Sequence, residues 1–472
     1  MSCYIYKKQK GAVMIICLIF LCIFSALAIS MSSFSDSNVQ VADNQLKANR
    51  ALESAHSGLE VMRFWLGRVY MPGTTTPEDR FTVLANFIQD DLQDNSINNI
   101  TLTVDTDCIQ LGDQASPVML ETASNRSFAA TIQPTANVDV LQMDITGSAL
   151  NLQKTIRVNY NFGTRAHTVF DYGVATKGPL QLQGNIDMDG ANVELDAGVY
   201  IESDNDANAL SIIGNSSIAG DVSITNPDAI VKLQGGKASI GGETGQDAID
   251  NHVTTGVPPT EFPVPMPEYF EHYVQNIFDP NTDTTTNVVL ENIRIPASST
   301  NPPEPIIFSG GATLRGVIYI ETPNIVTFTG NCDITGIIVG DGDLADNSAT
   351  NQLIFLGNVT SYPVSDLPED DPDFDQLRDE TGTFLMAPGF SASFGGSFET
   401  LNGAIAANGI EFFGNAGGTI DGSILNYSDI PMTLSGNSDL FFNRSGGSEV
   451  PAGFGPELIL YYVADSYSEV AL

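Results

Sequence analysis

Six segments of the chain carry a glycine–asparagine step in one phase of an alternating apolar pattern, and this repeat limits the possible folds more than any other feature. They are LQLQGNIDMDGANVEL from Leu180, LSIIGNSSIAGDVSIT from Leu210, VTFTGNCDITGIIVGD from Val326, LIFLGNVTSYPVSDLP from Leu353, IEFFGNAGGTIDGSIL from Ile410 and MTLSGNSDLFFNRSGG from Met432. The steps themselves are Gly184-Asn185, Gly214-Asn215, Gly330-Asn331, Gly357-Asn358, Gly414-Asn415 and Gly436-Asn437, with Gly-Gly variants at Gly235-Gly236, Gly310-Gly311 and Gly395-Gly396. Alternation puts the apolar residues of each segment on one side, and glycine followed by asparagine suits the left-handed backbone of a sharp corner. Adjacent copies fall about 20 residues apart, the length of one coil of a β-solenoid, whose coils bury their faces only by stacking. The spacing predicts a right-handed parallel β-helix over residues 166–245 and 306–445. A β-sandwich is the alternative, because short strands with turn signals look alike in sequence.

Two segments break the pattern. Residues 246–305 contain Val257-Pro258-Pro259 and a further proline-rich run from Phe262 to Pro267. Proline cannot donate to a sheet ladder, so this stretch reads as an excursion over the surface that interrupts the stack. Residues 361–386 hold an acidic run from Pro368 to Asp375 that reads as a solvated loop. Asp370 and Asp371 there, with Asp341, Asp343 and Asp346 upstream, offer oxygen donors of the kind calcium takes, but the ligand order of an EF-hand is missing.

The N-terminus sets topology. Lys7, Lys8 and Lys10 precede Gly11, and an apolar run from Ala12 to Ile29 follows, broken only by Ser25. Such a run, about 18 residues, is near the lower limit for crossing a bilayer. The basic leader predicts a cytoplasmic N-terminus, a transmembrane segment at 12–32 and extracytoplasmic domains in the periplasm or at the cell surface. A cleaved secretory signal near Ser25-Ala26-Leu27-Ala28 and a plain membrane anchor are the other readings. Leu52, Ala55, Leu59, Met62 and Leu66 recur at helical spacing, so the helix is expected to continue as a stalk over 33–71 until Met71-Pro72-Gly73 ends it.

KKQKG at 7–11, the apolar run at 12–30 and KANRALESAHSGLEVMRFWL at 47–66 together resemble the N-terminal region of PilX-type minor pilins of type IV pilus systems. The resemblance covers about residues 7–66 and implies that a prepilin peptidase cuts between Gly11 and Ala12, that the helix sits in the inner membrane, and that it packs with other pilins. Major pilins carry a glutamate at the fifth mature position, where this chain has Ile16, which argues against a bulk filament subunit. The resemblance also implies a pilin-like α+β head over 72–165. On its own residues that region reads as a small α+β unit, with Thr76-Pro77 starting a helix and alternating strands up to Phe162. The segment 446–472 carries no clear signal.

Composition narrows the partners. The net charge is −38, with 19 basic against 57 acidic residues, which argues against nucleic acid. Of five cysteines, Cys3, Cys17 and Cys22 lie in or before the apolar run, leaving Cys108 and Cys332 without a disulfide framework. His56, His167, His252 and His272 are dispersed, so no zinc site is expected, and no cofactor beyond a possible calcium ion. Many β-helices act on acidic polysaccharides, but the chain lacks the NTD, GHG and RIK motifs of the polygalacturonase-like ones, and its acidic surface would repel such polymers. The expected role is therefore non-enzymatic: a membrane-anchored minor pilin or assembly protein displaying a β-helix for adhesion. An anchored glycan- or calcium-binding module outside any filament is the alternative. A bactofilin-like cytoskeletal polymer fails on topology.

Overall fold

Helix α1, Ala12–Leu66, runs for 55 residues without a proline, about 82 Å at 1.5 Å per residue. The computed structural model describes residues 12–73, 75–105, 108–113, 115–203, 208–345, 349–444 and 450–470. The basic leader, Gly11, Cys3 and Asp346 lie outside the described residues. The chain forms two compact units, one containing α1 and residues 75–163, the other spanning Thr164–Leu458.

In the first unit the two halves of α1 behave differently. Residues 13–46 are exposed throughout, whereas Ala51, Ser54, Ala55, Leu59, Met62, Trp65 and Leu66 are buried at steps of three and four. Leu52, expected on that face, is only partly buried. The buried stripe lies on the antiparallel strands Arg126–Pro134 and Val140–Ala149. Small residues allow the approach: a Cβ on Gly147 would stand 2.2 Å from the Ala51 carbonyl oxygen, and one on Gly58 2.7 Å from the Phe128 ring. Strand Val140–Ala149 alternates between partly and fully buried positions, as one face covered by a helix requires.

Helix α2, Pro77–Asp94, starts where Thr76-Pro77 places it. The Thr76 hydroxyl donates to the Asp79 carboxylate at 2.8 Å instead of capping a backbone amide. The sheet runs in the order Tyr70–Pro72, Glu457–Val470, Leu152–Arg165, Val140–Ala149, Arg126–Pro134, Cys108–Leu111, Leu102–Asp105. The C-terminal segment, unreadable in sequence, is thus a strand of this sheet, and its neighbour is the strand that leads into the second unit.

The second unit stacks parallel strands in two columns. In one, Leu180–Gly190 pairs on one side with Leu210–Gly214, itself paired to Val231–Gln234, and on its other side with Met432–Phe442. From Met432–Phe442 the column continues backwards in sequence through Ile410–Phe412, Ser391–Phe394, Gln352–Phe355 and Ile325–Phe328 to Ile306–Phe308. The second column has the same order, with Val174–Thr176 between Val199–Ile201 and Ile424–Asn426. The chain therefore enters at the middle of these columns, runs to one end, crosses to the far end and returns until its last strands pair with its first.

Residues 246–305 consequently do not interrupt the stack as the sequence suggests. They hold the short helix Gly245–His252 at one end and the strand Val288–Ile295, paired with Ala312–Ile320, at the other. The proline-rich part between them packs over the outside: Phe262, Phe270 and Tyr273 join Leu367, Phe374 and Leu377 of the acidic segment in a second buried cluster. The acidic run is thus anchored by apolar residues and is not simply a solvated loop.

Inside the stack, register aligns like with like. Phe308, Phe328, Phe355, Phe394 and Phe412 occupy equivalent positions, and their rings stack with successive centroid distances of 5.4, 4.9, 4.7 and 4.8 Å. The last three match the separation of neighbouring strands, about 4.7–4.9 Å. The column continues through Leu434, Leu182, Ile212 and Leu233, where the aromatic rings give way to aliphatic side chains.

The glycine steps divide in two. Gly184, Gly214, Gly414 and Gly436 have left-handed backbone, as do Gly235 and other turn glycines. Gly330 and Gly357 do not. There the requirement is close approach, because a Cβ would meet the carbonyl oxygen of Gly310 at 2.4 Å and of Gly330 at 2.1 Å. Asparagine side chains beside the left-handed steps form a ladder, Asn215 donating to Asn185 and Asn185 to Asn437, each at 2.8 Å. Asn331 accepts from Asn358 at 3.4 Å.

Candidate functional site

The first functional element is the free half of α1. Twelve large apolar side chains between Val13 and Ile29 are exposed, Ile16 among them, and Phe34, Val39, Val41 and Leu46 beyond them are exposed as well. The helix is long and apolar enough to cross a membrane once, by length and composition. Ala12, one side of the expected processing junction, is the first residue of the helix. Cys17 and Cys22 are free and exposed within it, and Cys108 and Cys332 are free thiols. Burial in the stack pushes the Cys332 thiol up to about 11.

The second element is a cluster in the second unit that brings together three distant parts of the chain. His167 precedes a short 3-10 turn, Thr168–Asp171, just after the strand that leads into the unit. Glu261 lies in the proline-rich crossing segment, and Glu457 begins the strand that leaves the unit. One ring nitrogen of His167 and one carboxylate oxygen of each glutamate lie within 4.8 Å of one another. His167 is 4% exposed and Glu457 3%.

The backbone around Glu261 is held firmly. Thr260 N–H donates to the Tyr200 hydroxyl at 2.8 Å, the Tyr427 hydroxyl donates to the Pro263 carbonyl at 2.6 Å, and Met266 N–H donates to the Gly453 carbonyl at 3.0 Å. Between these bonds the Phe262 ring packs edge-on to Tyr427 at 5.5 Å.

Charge in the cluster is unevenly compensated. Arg165 donates from Nε to Oε2 of Glu457 at 2.6 Å. Among the described residues Glu261 makes no such ion pair, and burial, reinforced by the charge of Glu457 and opposed by that of Lys177, holds its carboxyl above the usual carboxylate range. Burial likewise lowers the pKa of His167, against the opposing pull of Glu457 and of hydrogen bonding to the backbone of Gly455 and Glu261. Nδ1 of His167 is buried without a hydrogen-bond partner. An imidazole nitrogen lying beside two carboxylates has the donor chemistry of a metal site.

The acidic residues picked out in the sequence lie elsewhere and serve local structure. Asp343 accepts from Ala345 N–H at 2.7 Å, Asp371 accepts from Asp373 N–H at 3.0 Å to start a 3-10 turn, and Asp341 accepts from Thr322 N–H. Asp370 is exposed. Among the described residues, none of these four belongs to the cluster of metal-type donors that the fold assembles. Sequence reasoning missed that cluster because its members are far apart in the chain and no spacing motif links them.

The second unit's arginines are largely engaged. Arg294 pairs with Glu321 at 2.9 Å, Arg315 with Glu291 at 3.1 Å, and Arg378 with Asp375. Arg444 donates to the main-chain oxygens of Asp196 and Leu195, both at 3.1 Å.

No protein-family model matches the chain, and no curated protein matches it. Among solved structures, the competence-associated pilin ComZ from Thermus thermophilus matches with 10% identity and a TM-score of 0.26, over 90% of this chain and 97% of that one. A likeness of that degree carries no argument about fold or function.

Proposed function

We propose that this is a membrane-anchored, pilin-like protein of the PilX type that displays a parallel β-helix outside the cytoplasm. The observation that carries the reading is the division of α1 into a packed half and an exposed apolar half. Keeping twelve large apolar side chains in water forgoes on the order of 20–35 kcal/mol of burial. The free half therefore belongs in a bilayer or in a bundle of similar helices. The KKQKG leader directly before it adds the positive-inside orientation and a glycine placed for prepilin peptidase.

Support for the β-helix comes from the parallel, in-register columns and their stacked glycines and phenylalanines. Support for a non-enzymatic display role in adhesion or surface contact comes from the net charge of −38 and from arginines already paired within the fold. Other pilins are the partners, met through α1 in the inner membrane.

Cofractionation tests this role. Surface filaments sheared from cells of the native host, or the membrane complex that assembles them, are expected to carry the protein together with pilins. Recovery only as a solitary membrane protein, with no pilin in either fraction, would replace the pilin reading with an independent anchored binding module.

A further inference from the structure

We propose that His167, Glu261 and Glu457 form a binding site for a divalent transition-metal ion of the zinc class. Two carboxylates and one imidazole supply the oxygen and nitrogen donors that such an ion takes. Their donor atoms lie within 4.8 Å of one another. Closing on an ion with bonds of about 2.0–2.2 Å would bring them to roughly 3.4 Å apart, a movement of about an ångström.

Burial makes this more than a chance meeting of acidic groups. His167 is 4% exposed and Glu457 3%, so both donors are held out of water; Nδ1 of His167 is buried without a hydrogen-bond partner, a cost of about 1–3 kcal/mol that coordination through that atom would recover. Arg165 engages one oxygen of Glu457, and a carboxylate has a second to offer. Arg165 pairs directly with Glu457 whereas Lys177 acts on Glu261 only as a longer-range charge, so a divalent cation would complete the neutralisation of the two carboxylates.

The position of the ligands indicates what the metal does. His167 stands where the chain enters the unit, Glu457 where it leaves, and Glu261 on the segment that crosses between the ends of the stack. One ion would tie all three together at the point where the first and last coils meet. It would act as a structural staple, contributing its binding free energy to folding.

The test uses untagged full-length protein in detergent, stripped with EDTA and titrated with zinc. One zinc per chain should survive gel filtration, and the thermal midpoint should rise with zinc as for a single-site ligand. Glu261→Gln and His167→Gln should each weaken binding at least about tenfold and abolish the zinc-dependent shift. X-ray absorption of the wild-type complex should give one imidazole nitrogen with oxygen donors at about 2.0–2.1 Å, a readout that does not depend on the variants folding. Wild-type protein that retains no zinc, variants that bind like wild type, a sulfur-containing shell, or retention of calcium in place of zinc would each overturn the proposal.

Discussion

Replacing Phe394 with alanine is expected to destabilise the stacked-strand unit by about 3–5 kcal/mol. The ring is 2% exposed and lies between Phe355 at 4.7 Å and Phe412 at 4.8 Å, tilted by 5° and 12° respectively. Because hydrogen bonds hold each strand at its spacing, neighbouring rings cannot close the gap, and the void keeps most of its volume. Chemical denaturation followed by far-UV circular dichroism should show the β transition at clearly lower denaturant. The protein's only tryptophan, Trp65, lies in α1 and reports the other unit separately through its fluorescence. Phe441→Ala is the control. Its side chain is 38% exposed, so its loss should cost well under about half as much. Equal effects at the two positions would mean that the aromatic column does not stabilise the stack.

The second large effect is expected at Gly436, where the strand Met432–Phe442 pairs with Leu180–Gly190. Gly436 pairs with Gly184; its φ is +101°, and a Cβ there would stand 2.2 Å from the Gly414 carbonyl oxygen. Alanine would incur about 1–2 kcal/mol for the left-handed backbone alone, before any cost of separating two paired strands. Gly436→Ala should therefore lower stability by several kcal/mol and shift the denaturation midpoint accordingly. Gly236→Ala provides the contrast. With no atom within 4 Å of its added Cβ and no left-handed backbone, it should be neutral or stabilising by up to about 1 kcal/mol. If both substitutions behaved alike, glycine would matter in this repeat only for composition.

These two cases show what could and could not be read in the chain. Local chemistry was legible: the alternating apolar residues around Gly184 and Gly436 announce strands, and the 3.6-residue spacing of Ala55, Leu59, Met62 and Leu66 announces the packed face of α1. The order of pairing was not legible, because each repeat carries the same pattern and nothing in LQLQGNIDMDG says that MTLSGNSDLFF will pair with it. Proline density marked residues 246–305 as an excursion, yet it concealed that they link the ends of the stack and hold the strands Val253–Thr255, Asn276–Ile277 and Val288–Ile295. The two glycine roles also look identical in sequence. Gly357 needs space beside a neighbouring carbonyl and Gly436 needs a left-handed φ as well, a difference set by the three-dimensional arrangement alone. The His167, Glu261 and Glu457 cluster was invisible for a similar reason: it exists only where the unit's entry, exit and crossing converge.

The reading of the chain as a pilin-type anchor depends on the junction between Gly11 and Ala12. Intact-mass and N-terminal peptide mass spectrometry on protein purified from membranes of the native host tests it most directly. The account predicts a mature chain beginning at Ala12, the residue that opens α1. A chain still beginning at Met1, or one beginning near Ser30 after removal of a secretory signal, would contradict it.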